Sequence, residues 1–205
     1  MIVISKIDIK MELDDSTENK IKEKVLSYLE KGRPGWDIPH TLSCVHWMKE
    51  LLRYEKGNSR VLVPVMYFHD IGYIELMEEN KDLDLKKNMD LKEEHMKKGA
   101  IIAKLILKEV GSFKEEEIER IVYLVSIHDS YEKISDGKDI DAQLVYEADG
   151  LGQIDRERVK PTYSKSDAEI FLQDFQKKRG QRFKTESGKR FYKDLIEKAI
   201  KYAEL

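Results

Sequence analysis

The chain is poor in the features that mark secreted, membrane-embedded or nucleic-acid-binding proteins. Among its 205 residues there is one cysteine, Cys44. A single thiol excludes an intramolecular disulfide and suits a reducing cytosol. No apolar run approaches the length of a membrane span. The first ten residues carry Lys6, Asp8 and Lys10 among their aliphatics, unlike a signal peptide, so a cytoplasmic location is expected. The net charge is only −3, which gives no electrostatic case for nucleic acid or an anionic membrane as the main partner. Internal repeats and low-complexity linkers are absent too. What is present, 38% charged and 40% hydrophobic residues, is the profile of a folded, helix-rich protein long enough for one domain.

The most apolar stretch, residues 61–68, runs uninterrupted into His69-Asp70-Ile71-Gly72. It does not alternate, so burial on all sides is expected. Local propensity favours a strand, but Pro64 cannot donate a hydrogen bond in a central strand. A buried helix from about residue 63 to residue 72 is therefore predicted. Upstream, residues 14–31 read as a helix capped by Ser16 or Thr17, with Ile21, Val25, Tyr28 and Leu29 inward and Gly32 as its stop. Residues 39–53 form the next helix, opened by Pro39 and burying Cys44, Val45, Met48, Leu51 and Leu52. Residues 75–90 are polar and read as a surface excursion or lid. A helix over 90–110 places Ile101, Ile102, Leu105 and Ile106 on its apolar side and ends at Gly111. Another over 112–128 opens with a capping box of Ser112 and Glu115. A loop at 129–137, a helix over 139–150 and amphipathic helices over 166–178 and 185–203 complete the chain. Ile2, Ile4, Ile7 and Ile9 fit either a short strand or an irregular lead-in. The predicted fold is a single all-α domain.

Four of the five histidines continue an apolar helical stripe. His40 extends the stripe of Cys44 and Met48. His69 follows Val65 and Leu62, His95 precedes Gly99, Ile102 and Ile106, and His128 follows Leu124 and Ile121. Asp149 follows Val145 and Ala142 in the same way. Spacings of three, four or seven place residues on one face of a helix. Any one of these groups alone is more simply a satisfied core histidine. Together with Asp70 they put four imidazoles and two carboxylates inward on five helices, and burying so many titratable groups is costly unless they share a purpose. A common divalent-cation site meets that requirement. His46 falls off the face of His40 and is assigned to the surface or to a structural role.

In this order the residues resemble the HD-domain metal-dependent phosphohydrolase superfamily: a His, then His69-Asp70 after an apolar run, more distant histidines, then Asp149. The resemblance covers roughly residues 36–155. Trp36-Asp37-x-x-His40 and Glu147-Ala148-Asp149-Gly150-Leu151-Gly152 are most similar to the small bacterial and archaeal HD nucleotide hydrolases. It implies an HD-type helical bundle in which His40, His69, Asp70 and Asp149 hold a divalent cation. His95 and His128 match the two further ligands of the binuclear subgroup, or else contact substrate phosphate or transfer protons. Tyr73 departs from the pattern, standing where many members carry Lys and some nucleotidases Glu. Residues 1–35 are then an N-terminal segment and helix, 36–155 the HD core, and 156–205 additional C-terminal helices packed on the same domain.

The expected activity is hydrolysis of a nucleotide or similar small phosphate ester by a metal-activated water. Two imidazoles and two carboxylates with open positions suit Mn, Fe or Mg better than a closed structural zinc. One tightly held ion is expected, with a second site weaker or filled only with substrate. Asp70, His95, His128 and Asp129 are the candidate catalytic groups, Asp129 also serving as a partner that orients His128. Arg33, Lys98 and Lys133 are candidates for substrate phosphate, with Arg33 first because its loop leads to His40. A homodimer is compatible with the sequence. A di-iron oxygenase of the inositol-oxygenase type uses the same ligand pattern, and a non-catalytic nucleotide-binding protein is a third alternative.

Overall fold

The computed structural model describes residues 12–79, 91–134, 138–160 and 164–204. Among these there is no strand, and no helix is long and apolar enough to cross a membrane. The elements in order are α1 (Asp15–Leu29), α2 (Asp37–Leu51), α3 (Ser59–Phe68), α4 (Tyr73–Glu79), α5 (Lys92–Val110), α6 (Glu115–Ile127), α7 (Tyr131–Ile134), α8 (Ile140–Ile154), α9 (Lys165–Lys178) and α10 (Glu186–Glu204). A 3₁₀ turn at Gly180–Arg182 links the last two.

The apolar stretch is the central helix, α3. Every side chain from Val61 to Phe68 is buried, and α1, α2, α5, α6 and α8 all pack on it. Each such aliphatic or aromatic side chain contributes about 1.5–3 kcal/mol when fully buried. The helix starts at Ser59 rather than near Val63, because the Asn58 side chain accepts from the Arg60 backbone N–H at 3.0 Å and caps it. It ends at Phe68, which leaves His69 as its C-cap and Asp70 in the turn that follows.

Several other expectations shift for local reasons. Asp14, not Ser16 or Thr17, caps α1, accepting from the Thr17 N–H at 2.9 Å. Tyr28 is exposed, because α1 docks through Thr17, Ile21, Val25 and Leu29. On α5 the four hydrophobics straddle two faces and only one faces the core. Ile102 and Ile106 are buried, while Ile101 and Leu105 are exposed. Helix α6 opens at Glu115, where the Glu117 carboxylate accepts from the Lys114 N–H at 2.9 Å. Ser112 instead donates to the Val110 carbonyl. The loop after His128 contains the short helix α7. Of the predicted excursion at 75–90, residues up to Glu79 belong to α4, and 80–90 lie outside the described residues, as does the isoleucine lead-in at 1–11.

Helix α8 runs four residues past Gly150. Its glycines are contacts rather than stops: a Cβ on Gly152 would stand 2.3 Å from Cys44 Sγ. Helices α2 and α8 approach that closely, and the approach brings His40 to Asp149. Gly111, by contrast, ends α5 as predicted, in the left-handed conformation with φ 69°. Leu172, Phe175, Phe183, Leu195, Ile196, Ala199 and Ala203 from the C-terminal helices join the same hydrophobic core as the rest.

Candidate metal centre

Five helices deliver six side chains to one buried place. His40 comes from the first turn of α2, and His69 and Asp70 from the end of α3. His95 lies near the start of α5, His128 caps α6, and Asp149 stands in the second half of α8. All six are buried. They form two groups. In the first, His40 Nε2 is 3.2 Å from His69 Nε2 and 3.2 Å from Asp149 Oδ1. In the second, His95 Nε2 and His128 Nε2 are 3.3 Å apart.

Asp70 stands between the groups and turns one oxygen to each. Its Oδ2 is 3.7 Å from His40 Nε2 and 3.8 Å from His69 Nε2. Its Oδ1 is 3.6 Å from His128 Nε2 and 3.8 Å from His95 Nε2. Donors about 2.1 Å from one ion, at ordinary coordination angles, lie about 3.0–3.4 Å from each other. The shortest separations fall in that range, and the rest need only wider angles.

Backbone carbonyls set the imidazole tautomers. His69 Nδ1 is 2.8 Å from Met66 O, His128 Nδ1 is 2.8 Å from Val125 O, and His95 Nδ1 is 3.4 Å from Leu91 O. A carbonyl only accepts, so Nδ1 carries the proton and Nε2 turns its lone pair inward. His95 and His128 then aim two lone pairs at each other, which requires a proton or a cation between them. Burial lowers His128, but the Asp70 hydrogen bond and charge outweigh it and raise the imidazole above its ordinary value. Burial drives His69 down to about 4 and His95 to about 3, so both are neutral, the form that binds a metal. Burial alone would raise Asp70 and Asp149. Nearby cationic and imidazole groups, His69 and Arg33 for Asp70 and Arg179 and His40 for Asp149, instead hold both well below the usual carboxylate range. A donor set of imidazoles and ionised carboxylates fits one or two divalent cations.

Cys44 also lies near the first group. Its Sγ is 3.6 Å from both ring nitrogens of His40. That equidistance puts the sulfur over the ring rather than in line with either lone pair. Burial raises the thiol well above its ordinary value, so it stays protonated.

Around the donors are groups that periodicity does not single out. Arg33 turns inward: Nη2 donates to Asp70 Oδ2 at 2.8 Å, and Nε donates to Asp37 Oδ1 at 2.7 Å. Its guanidinium lies 4.2 Å over the Tyr73 ring, and Tyr73 stacks on His95 at 4.1 Å. Tyr73 therefore packs the Asp70 side of the site. Arg179, from the end of α9, donates to Asp149 Oδ2 at 2.6 Å, and Gln153 donates to Asp149 Oδ1 at 3.0 Å. Asp37 and Arg179 belong to the site's surroundings, and only the place of Asp37 beside His40 in the chain hinted at either.

The remaining candidates are spread more widely. Asp129 is half-buried, 3.1 Å from Lys92 Nζ and 3.8 Å from Arg179 Nη1. Lys98 pairs with Glu75 at 3.2 Å, and Lys133 is exposed on α7. His46 lies away from both groups, 3.0 Å from Arg158 Nη2 and against Trp47. Gly72 makes room for His95: a Cβ there would stand 2.0 Å from the His95 carbonyl oxygen and 2.6 Å from the Gly99 nitrogen. Gly72 and Gly99 thus meet backbone to backbone.

The family model for the HD domain matches residues 38–152. The chain belongs to the HD domain family. The matched segment carries all six donors and leaves out Arg33 and Arg179. No curated protein and no solved structure matches the chain.

Proposed function

We propose that this HD-domain protein is a metal-dependent phosphohydrolase acting on a nucleotide or a similar small phosphate ester. The observation that carries the reading is the buried pair of donor groups sharing Asp70, with imidazole nitrogens and carboxylate oxygens converging on one place. His40, His69, Asp70 and Asp149 would hold one divalent cation tightly, and Asp70, His95 and His128 a second more weakly. Such cations supply Lewis acidity toward a phosphoryl oxygen and an ionised water at neutral pH.

The remaining work falls to the chain's own side chains. Arg33 keeps Asp70 ionised and aimed, and its partly exposed guanidinium meets substrate phosphate. Asp129, half-buried beside His128, takes up or returns a proton at its carboxylate. Lys98 and Lys133 complete the cations proposed for the substrate. The tautomers of His69, His95 and His128 are favoured by backbone carbonyls before any ligand arrives, so these three rings need little reorganisation on binding.

The test is a panel of nucleotides and phosphomonoesters, assayed anaerobically with metal-stripped protein reloaded with Mn, Fe or Mg. Phosphate release with at least one nucleotide is expected, and elemental analysis should give up to two metals per chain. His95→Ala and His128→Ala should each leave one. No phosphate release from any substrate with any metal overturns the reading. The shared carboxylate also suits two irons, which favours a di-iron oxygenase as the second reading. Oxygen consumption by the iron-loaded protein, without phosphate release, would select it.

A further inference from the structure

Among the described residues, the C-terminal helices reach the metal centre through the guanidinium of Arg179. This residue caps α9, and its own N–H donates to the Phe175 carbonyl at 2.8 Å. Its side chain is buried against α8. One nitrogen, Nη2, donates both to Asp149 Oδ2 at 2.6 Å and to the Tyr146 carbonyl at 2.9 Å. The other, Nη1, lies 3.8 Å from Asp129 Oδ1 in the turn after His128. The cation sits 4.2 Å over the Tyr146 ring. Gly150 leaves the room it needs: a Cβ there would stand 2.9 Å from Arg179 Nε.

The contact divides the Asp149 carboxylate. Oδ2 belongs to Arg179, while Oδ1 accepts from Gln153 at 3.0 Å on the same helix and faces His40 Nε2 at 3.2 Å and His69 Nε2 at 3.8 Å. An aspartate with its second oxygen free could rotate about its last bond or turn either oxygen inward. With Oδ2 occupied by a fixed, planar cation, one orientation remains.

We infer that Arg179 is the positioning residue of the first donor group, so that α9 is a working part of the metal centre rather than an appendage to it. The inference rests on the metal-binding reading above and adds to it a residue from outside the segment that matches the HD family. Arg33 makes the corresponding contact on Asp70, whose Oδ2 it holds at 2.8 Å. Two arginines thus hold the two carboxylates, from opposite ends of the HD segment.

The experiment is calorimetric titration of metal-stripped, full-length protein with Mn²⁺, which needs no substrate. Arg179→Met should weaken binding at the tighter site by about 10–100-fold, the usual effect of removing a group that orients a ligand. Arg179→Lys, which keeps one donor to Asp149, should fall between that variant and wild type. Added guanidinium ion should recover part of the loss in Arg179→Met. Glu147→Gln serves as the structural control. That buried carboxylate ties α8 to α10 by accepting from the Lys184 and Thr185 N–H groups at 2.6 and 3.0 Å. It should lower the melting temperature and leave Mn²⁺ affinity unchanged. Wild-type affinity in Arg179→Met overturns the inference, as does an equal loss of affinity in Glu147→Gln. If Arg179→Met does not fold, wild-type affinity in Arg179→Lys overturns it instead. Wild-type protein that binds no Mn²⁺ would point to a failure of the metal-binding reading itself.

Discussion

Replacing Asp70 by Asn tests the centre at the one residue both donor groups share. The substitution is nearly isosteric but removes the charge. Asp70 Oδ2 accepts from Arg33 and faces His40 and His69, while Oδ1 faces His95 and His128. The amide offers one acceptor where the carboxylate offered two, so one donor group must lose its oxygen. Removing a group that merely orients a ligand costs about 10–100-fold in metal affinity or activity. Loss of a shared ligand should therefore lower turnover by more than about 100-fold, and the metal content should fall by at least one per chain. In the metal-free protein Arg33 keeps Asp37 but loses its ionic contact to Asp70, and His128 loses the carboxylate beside it. Leaving a buried polar group short of a partner costs about 1–3 kcal/mol. At about 2–4 °C per kcal/mol for a chain of this size, the melting temperature should fall by several degrees with the helical circular dichroism intact. Activity is read as phosphate release with the metal that serves wild type, and metal content by elemental analysis of dialysed protein. Wild-type turnover and metal content in Asp70→Asn would refute the assignment of this residue as a ligand.

His46→Gln should retain metal content and most of its activity, whereas His40→Gln should lose both. The reverse outcome would contradict the placement of His46 beside Arg158. Gly152→Ala should destabilise the fold by about 1–3 kcal/mol, because the new methyl meets Cys44 Sγ. Adding Cys44→Ala should recover only part of this in a denaturation series, since the Cys44 backbone nitrogen, 3.1 Å from that Cβ, still crowds it. An additive double mutant would show that the two side chains do not meet. The pair of Arg60 and Glu117 should add an acid-sensitive component to stability. Burial raises Glu117, but the Arg60 hydrogen bond and the Lys114 N–H outweigh it and hold the carboxyl below its ordinary 4.5. Its contribution is therefore present above about pH 4.5, the unfolded value, and is lost as pH falls through the folded one. Urea denaturation of Glu117→Gln against wild type should show a gap that narrows between pH 6 and pH 3. A constant gap would assign the contact no ionic part.

Helical period carries what is legible along the chain. A residue three, four or seven places from apolar neighbours must share their face, so His40, His69, His95, His128 and Asp149 could be placed inward from spacing alone, and His46 outward from them. The uninterrupted run before His69 likewise marked α3 as the helix buried on all sides. The resemblance to the HD pattern then named the donor set within residues 36–155. Helix ends were less legible. Caps depend on which of several neighbouring side chains reaches a free N–H, and Asp14, Asn58 and Lys114 hold positions that spacing assigned elsewhere. Stripes with hydrophobics on two faces were ambiguous for a related reason: nothing within α5 decides whether Ile101 or Ile102 turns inward until α3 and α6 are packed against it.

The partners of the donors are fixed by packing between helices. The division of Asp70 between two imidazole pairs arises where four helix ends converge, and no local signal carries it. Gly150 reads as a stop because a glycine ends many helices, yet α8 runs on through it and through Gly152. Both are instead places where α2 and Arg179 approach too closely for a side chain. Arg33 could be picked out by its loop. Arg179 could not, being one of 37 lysines and arginines in the chain and 30 residues from the aspartate it holds. An ion pair across that separation leaves no periodic trace, because its register is fixed by the packing of α9 on α8 and not by the pitch of any one helix.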